Sequence, residues 1–91
     1  MVGLSSREPR AQDVRVTDDE LEVSLTDGRR IAVPLVWYPR LLHATAAQRG
    51  NWQLLGDGEG IHWPDVDEDL SVEGLLRGSP SPEARRATTG R

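Results

Sequence analysis

The sequence predicts an α+β fold: a small two-layer domain in which one antiparallel sheet, with elements in the order β-β-β-α-β-β-α, carries helices on one face. Three observations lead there. Apolar residues alternate along Asp13–Thr17 and again along Leu21–Leu25, the period of a half-buried strand. Asp27-Gly28 separates the second run from a third, a strong hairpin signal. Further on, Thr45-Ala-Ala-Gln48 and Ser71 supply the N-caps of helices.

Side-chain parity then places each element. A two-residue turn at Asp18-Asp19 sets Val16 opposite Leu21 and Val14 opposite Val23, so all four share one face. At the next turn a two-residue loop would oppose Leu25 to Arg30 and mix the faces. A three-residue loop over 27–29 opposes Leu25 to Ile31 and Val23 to Val33 and lets Gly28 take positive φ, so that loop is expected. Glu20, Glu22 and Ser24 fall on the wetter face. Pro34 ends the third strand, because proline cannot donate a ladder hydrogen bond.

Pro39 suits the first turn of a helix and predicts a short one over Arg40–Ala44. Thr45 and Gln48 form a capping box for a second helical turn through Arg49, which Gly50-Asn51 stops. Trp52–Leu55 and Ile61–Trp63 read as two short strands around Gly56-Asp57-Gly58-Glu59-Gly60. Ser71 caps a last helix with Val72, Leu75 and Leu76 on one stripe and Gly78 just past its end. Acids at 67–69 and Glu73 complement that helix's N-terminal dipole.

A chain of 91 residues has room for one small domain. The absence of cysteine excludes disulfides, thiolate zinc sites and thiol catalysis. A membrane helix needs about 20 consecutive apolar residues, which the sequence lacks. Met1–Arg7 lacks the apolar segment of a signal peptide, so a cytoplasmic protein is expected. The net charge of −4 is unevenly placed: residues 11–77 hold thirteen acids against six arginines, and both ends are basic. The expected layout is a flexible tail over 1–10, a single α+β domain over 11–77, and a disordered basic tail over 78–91.

Three segments carry a family resemblance. Asp13-Val-Arg-Val-Thr with Leu25-Thr-Asp-Gly-Arg-Arg-Ile-Ala-Val-Pro-Leu35 is similar to the opening of the bacterial family called domain of unknown function 2442. Trp37-Tyr-Pro-Arg-Leu-Leu-His-Ala-Thr45 with Asn51-Trp52 resembles its middle, and Glu59-Gly-Ile-His-Trp-Pro through Leu76 its closing half. The resemblance covers about residues 11–78. It implies a similar small α+β domain and, from the gene neighbourhood of relatives, an antitoxin-like pairing with a small protein encoded alongside.

Several residue groups invite chemistry. An EF-hand loop starting at Asp65 needs glycine at its sixth position and a carboxylate at its twelfth, where Leu70 and Leu76 stand, so Asp65–Asp69 reads as a polar turn. The glycines of 56–60 alternate with two acids, which suits a hairpin loop and not a phosphate cradle. His43, His62 and Asp65 could supply a two-His, one-carboxylate metal site and a small metal-dependent enzyme, if the fold made them converge. Arg15, Arg29, Arg30 and Arg40 could line a weak nucleic-acid surface, against the acids that crowd the same meander. Trp37 and Tyr38 are adjacent aromatics at a strand-to-helix junction, beside Arg40, where both cannot easily turn inward. The expectation is therefore a non-catalytic protein-interaction module without a cofactor. A small basic protein partner would be contacted through Trp37, Tyr38, Arg40, Asp65, Asp67 and Glu68.

Overall fold

A computed structural model of the chain describes residues 9–78 and 80. The first sheet is an antiparallel meander of β1 (Ala11–Val16), β2 (Glu20–Leu25) and β3 (Arg30–Pro34). Val16 faces Leu21 and Val14 faces Val23, as the alternation predicts. The Thr17 hydroxyl helps close the Asp18-Asp19 turn by accepting from the amides of Asp19 and Glu20 at 3.2 and 3.0 Å. A bulge between Ala11 and Asp13 breaks the period of two, so Ala11 and Val14 are both buried.

The second turn corrects the expected register. Val23 faces Ile31 and Leu21 faces Val33, two residues out of step with a pairing of Leu25 to Ile31. The shift is even, so Ile31 and Val33 keep the inner face. Gly28 decides it. With φ at 95° and its N–H donating to the Leu25 carbonyl at 3.1 Å, it takes the last place of a loop over 26–28. That place in a three-residue hairpin loop is the one that needs a left-handed residue. Asp27 accepts from the Arg29 amide at 3.0 Å and from its guanidinium at 2.8 Å. The amide above all holds this carboxyl below its ordinary range.

A 3-10 turn over Leu35–Trp37 leads to α1 (Pro39–Leu42), which ends before the expected Ala44, and then to α2 (Ala46–Gly50). Both bonds of the α2 capping box are made: Gln48 N–H donates to the Thr45 hydroxyl at 3.1 Å, and Thr45 N–H to the Gln48 side chain at 2.9 Å. A second antiparallel sheet follows, of β4 (Gln53–Leu55), β5 (Gly60–Trp63) and β6 (Glu68–Ser71), and the helix α3 (Val72–Arg77) completes the domain.

The α+β class and the element order agree with the sequence, but the strands form two three-stranded sheets and not one. The added strand is β6, in the acidic run expected to precede a helix. It opens with two acids, Glu68 and Asp69, of poor strand propensity, which hides it. Pairing along β5 overrides propensity, with Trp63 opposite Glu68 and His62 opposite Asp69, after a turn in which Asp67 takes a φ of 54°. Ser71 still caps α3, accepting from Gly74 N–H at 2.9 Å, and Gly78 ends it at a φ of 78°.

The sheets are tied where Ala11 N–H donates to the Gly58 carbonyl at 2.7 Å. Arg10, placed by the sequence in a tail, is held there too: its carbonyl accepts from Thr26 N–H at 2.8 Å, and its guanidinium lies 3.2 Å from Asp57. The tail expectations for residues 1–8, 79 and 81–91 lie outside the described residues. One buried cluster joins Val14, Leu21, Val23, Leu25 and Val33 of the first sheet to Ile61 and Trp63 of the second, with Leu35, Tyr38, Leu41, Val72 and Leu75.

Two glycines with similar positive φ separate two physical effects. A Cβ at Gly28 would meet open space, whereas one at Gly58 would overlap the Ala11 carbonyl oxygen. Gly28→Ala is expected to destabilise the domain by about 1–2 kcal/mol, the left-handed penalty alone. Gly58→Ala should cost clearly more, because it also breaks the tie between the sheets. Urea unfolding midpoints of the two variants check this order.

Candidate functional site

The junction after β3 is built on a period of three. In the 3-10 turn, Leu35 and Tyr38 lie on one side and Val36 on the other. Leu35 and Tyr38 are accordingly buried, Tyr38 to 2% exposure, while Val36 is 61% exposed and Trp37 half-buried against the core. Tyr38 N–H closes the turn on the Leu35 carbonyl at 2.9 Å. The expected contact role of Tyr38 is thus corrected: it is a core residue and offers no contact surface. The i, i+3 spacing of Leu35 and Tyr38 was the available signal.

The remaining residues of the expected patch do converge. Arg40 on α1 reaches the turn before β6, donating to the Asp67 carbonyl at 2.6 Å. Its guanidinium also lies 4.0 Å from the carboxylates of Asp67 and Glu68. Glu68, read from sequence as a surface acid, is buried and faces the core side of β6. Burial, together with the nearby Glu68 carboxylate, pushes the Tyr38 hydroxyl up to about 12. Tyr38 and Glu68 are therefore structural, and what faces solvent is Arg40, held to the turn by its own bonds, Asp67, with a side chain 90% exposed, and Asp65. Asp65 accepts from the Asn51 side-chain Nδ2 at 3.0 Å, which holds the far side of the same turn.

The metal reading finds no assembled ligands. His43 is exposed at the end of α1, His62 pairs with Asp69 across the sheet, and Asp65 is held by Asn51. Among the described residues, no group of three or more His, Asp or Glu side chains is arranged to hold a metal ion. The arginine stripe is likewise dispersed, since Arg29 pairs with Asp27, Arg30 with Glu22, and Arg40 with Asp67 and Glu68.

Two features escaped the sequence. Arg49, with a side chain only 12% exposed, donates to the carbonyls of Leu41 and Leu42 at 3.0 and 2.9 Å and to Asp18 at 2.9 Å. The other is a division of charge between the halves of the fold. Residues 51–77 hold seven carboxylates against one arginine, a net −6, whereas residues 11–50 hold six against five, a net −1. Arg10 and Arg40 reach across to meet four of the seven, Asp57, Glu59, Asp67 and Glu68.

The family described as Protein of unknown function (DUF2442) matches residues 11–81. The chain belongs to the DUF2442 family. This DUF2442 domain is similar to the crystal structure of a protein of unknown function from Rhodospirillum rubrum. The two are 34% identical, with a TM-score of 0.72, over 86% of this chain and 96% of that one. It shares its fold with the solution NMR structure of an uncharacterized protein from Chromobacterium violaceum. There the identity is 20% and the TM-score 0.69, over 87% of this chain and 74% of that one. No curated protein matches the DUF2442 chain.

The chain has one tyrosine, so its titration reports the buried junction without ambiguity. The folded value of about 12 lies above the ordinary 10.0. The corresponding stability is therefore fully present below pH about 10 and is lost as the pH rises through about 12. Ultraviolet titration should show phenolate forming near the upper value, or in one step with unfolding between the two. Ionisation near pH 10 in a chain still folded by circular dichroism would show Tyr38 to be exposed.

Proposed function

We propose that this DUF2442 domain is a non-catalytic protein-interaction module. It would act as the antitoxin-like partner of a small basic protein encoded beside it. The observation that carries this reading is the division of charge. A half of the fold with seven carboxylates and one arginine creates a negative field that steers a basic partner and repels nucleic acid and anionic membranes. The pairing of Arg29, Arg30 and Arg40 with carboxylates further supports this reading over nucleic-acid binding. No described helix is long and apolar enough to cross a membrane.

Co-expression with the product of the neighbouring gene tests the proposal. The two should co-purify at low salt and separate as ionic strength rises, because the attraction is screened. Replacing Asp65, Asp67 and Asp69 together by asparagine should weaken the complex about tenfold, or about 1.4 kcal/mol. Asparagine tolerates the positive φ at position 67, so the turn is kept. Failure to co-purify at low salt would overturn the proposal.

A further inference from the structure

The outer face of the second sheet holds a trough with an apolar floor and an acidic rim. On this face Gly60 pairs with Leu55 of β4 on one side and Ser71 of β6 on the other. The backbone at Gly60 does not have positive φ, so conformation alone does not demand glycine there. What the missing side chain provides is space. A Cβ at Gly60 would stand 3.5 Å from the Leu55 side chain and 3.2 Å from the Leu70 carbonyl. One depression lies over Gly60 between Leu55 and Leu70, and a second runs along α3 between Val72 and Leu76. Glu59 and Ser71 line both, so the two adjoin.

Leu55 and Leu76, 42% and 44% exposed, stand along this trough. Glu59, Asp69 and Glu73 form its rim. Two arginines and a histidine stand beside these acids. Arg10, itself part of the trough wall, is 3.2 Å from Asp57 and 3.8 Å from Glu59, Arg77 pairs with Glu73 across one exposed helical turn, and His62 meets Asp69. The exposed Arg77–Glu73 pair is worth only about 0–1 kcal/mol, which leaves the Glu73 carboxylate open to a better-placed cation. The frame beneath is rigid: Val72 N–H donates to the Glu59 carbonyl at 2.9 Å, which locks the start of α3 to the β4–β5 loop.

We infer that this trough is the docking surface for an extended basic segment of a partner protein. Arginine or lysine side chains of the segment lay their aliphatic stems over Gly60 against Leu55 and present their cations to Glu59, Asp69 and Glu73. Apolar residues between them cover Leu55 and Leu76. Charge complementarity selects this occupant. A second copy of the chain would bring the same carboxylates face to face, and an acidic peptide would meet like charge at Glu59, Asp69 and Glu73. The inference rests on the interaction-module reading and names the surface and the chemistry of its partner.

The test titrates the isotope-labelled full chain with an end-blocked peptide of alternating arginine and leucine, and with its glutamate–leucine counterpart. Amide shifts should cluster at Leu55, Gly60, Asp69–Ser71, Glu73 and Leu76, saturate, weaken with salt, and be absent with the acidic peptide. A Leu55→Ser, Leu76→Ser double variant keeps every charge and alters only exposed positions, and it should bind the basic peptide about tenfold more weakly. Three results would each overturn the inference: shifts spread evenly over remote carboxylates such as Asp18 and Asp19, equal affinity in the double variant, or shifts that include residues 79–91 and so reveal the chain's own tail as occupant. A neighbouring gene product that co-purifies equally with wild type and double variant removes the trough and leaves the module reading intact. One that fails to co-purify with wild type, while the peptide still binds the trough, removes only the proposed identity of the partner.

Discussion

The domain depends on the way Trp63 is buried. Its indole is fully enclosed, and its Nε1–H donates to the Arg49 carbonyl at 3.0 Å. An indole removes roughly 150–250 Å² from water, which at about 25 cal/mol per Å² is an upper estimate of about 4–6 kcal/mol. No phenylalanine and no disulfide shares that role in this chain. The residue that satisfies the indole is itself a hub. The Arg49 guanidinium closes the open carbonyls at the end of α1 and reaches the β1–β2 turn at Asp18. Through this one contact the second sheet, both short helices and the first hairpin are held in a single arrangement. Helices of four and five residues would not persist without it.

The arginines organise the surface in the same manner. Arg10 and Arg40 each run from the nearly neutral first half to carboxylates of the acidic second half. Exposed ion pairs add little stability, so their consequence is placement. They draw Asp67 and Glu68 against α1, and Asp57 and Glu59 against the start of β1. The carboxylates that look outward are thereby gathered on the turn at Asp65–Asp67 and around the trough over Gly60. A residue can therefore be near the proposed interface and yet serve only the fold, as Tyr38 and Glu68 do.

The candidate site was less legible in the sequence than the fold was. The stretch 37–40 and the acids of 65–68 were recognisable as one region, and α1 and the turn before β6 do meet there through Arg40 and Asp67. Which members face water was not recognisable. Adjacent aromatics look equivalent until a 3-10 turn assigns Tyr38 to the side of Leu35. Glu68 looks like its acidic neighbours until β6 alternates and turns it inward. The trough was invisible, because it is formed by cross-strand neighbours at positions 55, 60 and 71, one of which contributes only the absence of a side chain.

The sequence by itself determined most of what local geometry governs. Alternating apolar residues set the β1–β2 register, the capping box and Ser71 placed helix starts, and Pro34 ended a strand. Each of these outcomes is decided within a few residues, by parity or by a single orphan amide. Tertiary structure decided whatever required a distant partner. Local turn chemistry moved the β2–β3 register by two, but only pairing along β5 could make a strand that opens with two consecutive acids. Contacts between distant residues, such as Ala11–Gly58 and Arg49–Trp63, set two separate sheets around one core. Propensity is worth tenths of a kilocalorie per residue, and the burial of one indole outweighs it.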